Sequence, residues 1–193
     1  CILIRAEENR VLLGFWRGFR SDELCRLRVE DISVRPGQDM SLYLPRSKGD
    51  RDNLGTTWRV PALRQLCPVQ AYLDWVGVAG LTAGPLFRRI DRWGRLGEQG
   101  LHVNSVIPLL RQTLGRAGVP AELYSSHSLR RGFATWASAS GWDLKALMDY
   151  VGWKDVKSAL RYVDATAAFG GLAVQDAAAL PALVEPGRRD LPG

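Results

Sequence analysis

Three features of this chain predict a mainly α fold with a small antiparallel β-sheet or hairpins, an α+β class. Apolar residues recur at i, i+3, i+4 and i+7 through most of its length, the mark of one-sided helices. Glycine and proline punctuate those stretches where helices stop. Strict alternation occurs once, on either side of a turn-rich loop. With 193 residues there is room for one domain with a proper core, or for one domain and a tail.

The elements follow in order. "ENRVLLGFWRGF" (8–19) carries Val11, Leu12, Phe15 and Trp16 on one side and stops near Gly18. "SDELCRLRV" restarts a helix with Ser21 as N-cap and acids in its first turn, which suits the macrodipole; Arg20 stands in the break. Leu42 and Leu44, then Trp58 and Val60, alternate around "RSKGDRDNLG", a hairpin whose long loop carries Lys48 at its first shoulder. "PVQAYLDWVGVAG" is a helix with Pro68 in its first turn and glycine beyond its end. "GPLFRRIDRWGRLGEQGL" shows no period and reads as irregular. "VNSVIPLLRQTLGRAGV" is helical, with Pro108 in its first turn or kinking it. "SSHSLRRGFATWASASG" is a helix up to Gly141, and "DLKALMDYVG" puts Leu144, Leu147, Met148 and Val151 on one side. A last short helix starts at Asp155, with Val156, Ala159, Leu160 and Val163 as its stripe. After Ala165 comes a Gly- and Ala-rich tail ending in "EPGRRDLPG", a composition typical of loose termini.

Composition narrows the function classes. No apolar run reaches the length of a membrane span, so no membrane partner is expected. The three cysteines, Cys1, Cys25 and Cys67, are scattered and odd in number, and only His102 and His127 could join them. A disulfide framework, a metal site and a cofactor are therefore not expected, and a reducing, cytoplasmic setting fits best. The chain opens on Cys1 rather than Met and reads as a piece of a longer protein. Net charge is +6, carried by 22 arginines and four lysines. Arginine favours bidentate contact with phosphate, so the balance points towards nucleic acid; a GC-rich genome would give the same bias.

Two positions stand off their apolar stripes. His127 and Arg130 lie three apart, about 100° from the stripe of Leu129, Phe133, Trp136 and Ala137. They are expected to emerge together at a helix N-terminus, where free N–H groups suit an anion; a solvated histidine beside a surface arginine is the alternative. Tyr162 points roughly 110° away from the centre of the last stripe, held near the core but not aimed into it. Arg20 and Glu23 would by themselves be a local ion pair, and Trp153 a core residue.

Taken in order, the chain offers R-x-x-E-L, a lysine in a hairpin loop, H-x-x-R and G-W-x8-Y. That series resembles the tyrosine recombinases, the phage integrase family, over roughly residues 5–165. The resemblance places the family's first arginine at Arg20 with Glu23 as its supporting acid, the hairpin lysine at Lys48, the H-x-x-R pair at His127 and Arg130, and the nucleophile at Tyr162. Trp153 stands where histidine is usual, Ser128 where Asp is common and Arg131 where His is common. The resemblance implies a tyrosine-recombinase-like catalytic domain over 1–166 and a tail at 167–193 that docks on a neighbouring protomer or stays loose. It further implies a separate N-terminal DNA-clamping domain, a homotetramer on double-stranded DNA and a bacterial or phage-like, nucleoid-associated setting. The implied chemistry is strand cutting and rejoining without metal or ATP. Arg20 and Arg130 hold the phosphate, His127 and the Trp153 indole add hydrogen bonds, and Tyr162 attacks. Lys48 protonates the leaving oxygen, and Glu23 orients Arg20 or His127. A type IB topoisomerase shares that residue set, and a catalytically silent DNA-binding regulatory module would share the charge.

Overall fold

A computed structural model describes residues 2–45, 55–157 and 159–160. The fold is mainly helical, as the periodicity predicts, with two small antiparallel sheets. In chain order come helix α1 (Ile2–Trp16), helix α2 (Ser21–Arg26), strands β1 (Ile32–Arg35), β2 (Asp39–Leu44) and β3 (Thr56–Pro61), and helix α3 (Pro68–Ala79). Strands β4 (Arg88–Ile90) and β5 (Leu96–Gly100) and helices α4 (Val103–Arg116), α5 (Ser128–Ala139) and α6 (Leu144–Val151) complete it. Asp155 begins a further helical turn at 156–157, where its carboxylate accepts from the Lys157 N–H at 3.2 Å.

Sheet β1–β2–β3 is fully antiparallel, with Leu42 opposite both Ile32 and Trp58. Its inner face, Met40, Leu42, Leu44 and Val60, is completely buried. That face packs with Leu13, Leu24, Leu27, Trp75, Leu86 and Phe87 into the larger core, built on α1, α2 and α3. A second, smaller core gathers Phe133, Ala134, Ala137, Leu147 and Val151 from α5 and α6. Rings of Phe15, Trp16, Trp136, Trp142 and Tyr150 close around it, mostly edge to face. Trp16 belongs to both cores, so the C-terminal end of α1 is where they meet.

Several expectations need correction. Segment 84–101 is not irregular: it holds the β4–β5 hairpin, with register shifts between Arg88 and Ile90. Its residues are mostly exposed, so no apolar alternation betrays it. Ser21 is the first helical residue of α2, and Arg20 is the N-cap, because the Glu23 carboxylate takes the Arg20 N–H at 2.8 Å. Pro108 lies in the second turn of α4 rather than the first. Ala159 is fully buried, whereas Val156 and Leu160 of the same expected stripe are exposed. Lys48, Tyr162, Val163 and the 167–193 tail lie outside the described residues.

Strand β2 begins with a charged clamp. Asp39 accepts from Arg35 Nε at 2.6 Å and pairs also with Arg59. These contacts, Arg35 first, hold its carboxyl down at about 2. A depressed carboxyl stabilises the fold at pH values above the unfolded range near 4, and that contribution is lost as pH falls through about 2. Asp39→Asn is therefore expected to lower the urea midpoint at neutral pH, with the gap to wild type closing between about pH 4 and pH 2. A gap that persists unchanged in acid would show that the clamp does not act through this charge.

Candidate active site

The site grows out of two backbone breaks and a strand. Helix α1 stops at Trp16, and Gly18 takes a left-handed turn (φ +65°) that sends the chain into α2. Arg17 to Arg20 thus lie in a tight link between two helices. Helix α6 stops at Val151 because Gly152 adopts φ +73°, letting its N–H and that of Trp153 return to the Met148 carbonyl at 2.8 and 2.9 Å. Strand β3 brings Trp58 beneath that turn. The three segments enclose a cleft of about 370 Å³ lined by Arg17, Arg20, Glu23, Trp58, Arg130 and Trp153, with Asp149 and Lys154 also on its wall.

Arg130 comes from the first turns of α5 and is 4% exposed. Its Nη1 donates to the Gly18 carbonyl at 2.7 Å and its Nη2 to the Val151 carbonyl at 3.0 Å. The guanidinium thereby ties the α1–α2 link to the C-terminal end of α6, where a positive charge is favoured. Its carbon lies 5.3 Å from the Trp153 ring centre. Arg20 is held from the other side: Nη1 donates to Glu23 Oε1 at 2.8 Å while Glu23 Oε2 takes the Arg20 N–H. Glu23 is buried and Arg20 about one-third exposed, so the acid fixes an arginine that still faces solvent.

Four of the residues singled out in the sequence therefore share one cleft: Arg20, Glu23, Arg130 and Trp153. His127 does not join them. It caps α5 from outside, exposed, with Nδ1 3.1 Å from Ser126 Oγ. The expectation that His127 and Arg130 emerge together fails, because Arg130 turns inward to the two carbonyls while His127 remains on the surface. Among the described residues Glu23 touches Arg20 and not His127. Arg17, Trp58 and Lys154 were not singled out. Arg17 sits three residues before Arg20 in "RGFR", a charged residue directly after an apolar helix, and that is the one local signal available.

Gly152 makes a sharp test of the turn. A Cβ there would stand 2.8 Å from the Trp58 ring, at a φ that side chains avoid. Gly152→Ala is expected to cost at least about 1 kcal/mol and to push Trp153 out of the cleft. Thermal melting with Trp fluorescence reads both effects, and an unchanged melt would refute the packing of Trp58 under the turn.

No group of three His, Cys, Asp or Glu side chains gathers among the described residues, and no helix among them is long and apolar enough to cross a membrane. What the cleft offers instead is guanidinium, indole N–H and a buried acid, a set suited to holding a phosphate.

Comparison with known proteins agrees with this chemistry. Residues 7–168 match the phage integrase family. An integrase/recombinase XerD homologue of Selenomonas ruminantium is 34% identical over 156 residues, 80% of this chain and 46% of that protein. The type 1 fimbriae regulatory protein FimB of Escherichia coli K12 is 27% identical over 158 residues, covering 81% of this chain and 72% of FimB. Among solved structures, XerH recombinase bound to its difH substrate superposes with a TM-score of 0.61 at 18% identity, over 83% of this chain and 43% of that one. XerA recombinase gives 0.60 at 17% identity, over 84% and 57%. The chain thus spans about half the length of several of these relatives.

Proposed function

The chain belongs to the phage integrase family, and on that footing we propose that it is the catalytic domain of a site-specific DNA recombinase that cuts and rejoins strands through a 3′-phosphotyrosyl link. One observation carries the reading most: Arg20, fixed by Glu23, and Arg130, fixed by two carbonyls, open onto one cleft beside the Trp153 indole. Two guanidinium groups that never lose their protons match the charge that builds on non-bridging phosphate oxygens. Each is pre-oriented, so little reorganisation accompanies the reaction.

In the proposed step Tyr162 gives its phenolic proton to a neighbouring base as its oxygen forms a bond to phosphorus, the bond to the 5′-oxygen breaks, and the leaving oxygen takes a proton from Lys48. Attack by a 5′-hydroxyl on the phosphotyrosine reverses these changes and rejoins a strand with no energy source. The Trp153 N–H and His127 supply further donors to the phosphate; for His127 this requires the exposed N-terminus of α5 to face the DNA. We assign residues 1–166 to the catalytic domain and 167–193 to a tail that docks on a neighbouring protomer. The working assembly is a homotetramer on double-stranded DNA, completed by a clamping domain from outside this chain. The DNA-bound state of XerH supports the choice of partner.

The test is covalent trapping. The chain is mixed with nicked duplexes and with supercoiled plasmid, then run on a denaturing gel. A protein–DNA adduct with strand exchange supports the recombinase. Plasmid relaxation without exchange favours a topoisomerase, and salt-sensitive binding without any adduct favours a regulatory module.

A further inference from the structure

The cleft contains a residue that the catalytic set does not use. Arg17 is 3% exposed, and its guanidinium is layered between the Trp58 ring, 3.8 Å from its carbon, and the Tyr150 ring at 4.5 Å. Nη1 donates to the Tyr150 carbonyl, and Nε is buried with no hydrogen-bond partner among the described residues. Among the described residues no carboxylate is within ion-pair distance of it: Glu23 is taken by Arg20, and Asp149 on the same wall pairs with Lys145. Burial lowers its affinity for a proton, to a pKa of about 10; the nearby Arg130 charge acts in the same direction, and Tyr150 and the more distant Glu23 offset only part of this. A buried cation without a counter-ion is costly, and a second cation beside it raises the cost.

A purely structural account gives Arg17 the task of capping α6. That leaves the charge unexplained, because Arg130 already serves the same helix end at Val151. We propose that Arg17 is a positioning residue for phosphate binding: a fixed, buried positive charge beside Arg20 and Arg130 that keeps the cleft in excess of positive charge until an anion enters. It acts across low-dielectric packing rather than by contact, so salt screens it little. The proposal rests on reading the cleft as a phosphate site.

Inorganic phosphate is the probe, and its binding is read as the rise in melting temperature it produces in the whole chain. Arg17→Met is expected to weaken that binding about tenfold, whereas Arg89→Met on the exposed face of β4 leaves it unchanged. Arg17→Lys is expected to restore binding at neutral pH. A lysine buried in this position has a pKa lowered further, so its phosphate response falls between about pH 7 and pH 9, below the range in which the wild-type arginine begins to lose its proton near 10. That pH signature would not arise from lost packing, and it decides the matter even if Arg17→Met fails to fold. Equal phosphate responses in wild type and Arg17→Met, or a pH-independent Arg17→Lys, overturn the proposal, as does a wild type that ignores phosphate. A phosphate response that depends on Arg17 in a chain that forms no DNA adduct would keep this inference and sink the recombinase reading.

Discussion

Tyr162→Phe is expected to abolish the covalent protein–DNA adduct while leaving DNA affinity and its salt dependence unchanged. The substitution removes one oxygen, the atom that would be joined to phosphorus, and nothing that binds the backbone phosphates. Three of the four other tyrosines narrow the choice. Tyr150 stacks on Arg17 of the cleft wall, but its hydroxyl donates to the Trp16 carbonyl at 2.7 Å and burial pushes its pKa up. Such a phenol is a poor nucleophile, since the charged form it must approach is disfavoured. Tyr72 is buried in the larger core, and burial raises its pKa too. Tyr43 is exposed on β2, against the Gly55 side of the hairpin and outside the cleft lining. Tyr150→Phe therefore serves as the matched control: it loses one hydrogen bond and some stability and keeps the adduct. An adduct that survives in Tyr162→Phe overturns the assignment of the nucleophile. No adduct in either protein, with binding intact, moves the chain to the regulatory reading.

The parts of this molecule that were legible in its sequence are those fixed by local chemistry. Pro68 and Gly80 bound α3 as their conformations require, and Asp155 opens its helical turn by accepting from the Lys157 N–H. The R-x-x-E pair was legible too, since Arg20 and Glu23 meet within one turn. What escaped depends on distant packing. Residues 88–100 form a hairpin lying on the surface, and without a buried face the period of two leaves no trace. Helical spacing put His127 and Arg130 on one side of α5 but is silent about what packs there. The partners that draw Arg130 inward are 112 and 21 residues away. Arg17 escaped for the same reason: Trp58 and Tyr150 reach it from a strand and a helix far along the chain. The arginine-rich composition, compatible with genome bias, acquires meaning only where three arginines converge on one cleft.

Arg130→Ala is expected to cause the second large loss, in activity and in stability together. Its guanidinium satisfies the buried Gly18 and Val151 carbonyls, and each buried carbonyl left unpaired costs about 1–3 kcal/mol. At a few degrees per kcal/mol, the melting temperature drops by roughly 10 °C. Adduct formation falls by about 10² to 10³-fold from the lost donor alone, measured well below the lowered melting point. Arg130→Lys separates the two roles. An ammonium keeps the charge and can reach one carbonyl, but it lacks the planar fork that spans both. Stability should recover in part, because one carbonyl is again paired, while adduct formation stays low, because the phosphate loses a fixed bidentate partner. Full recovery of cleavage in Arg130→Lys would mean that the charge suffices. Arg130 would then be chiefly the strut joining the α1–α2 link to α6, and the phosphate would rest on Arg20 and the buried charge beside it.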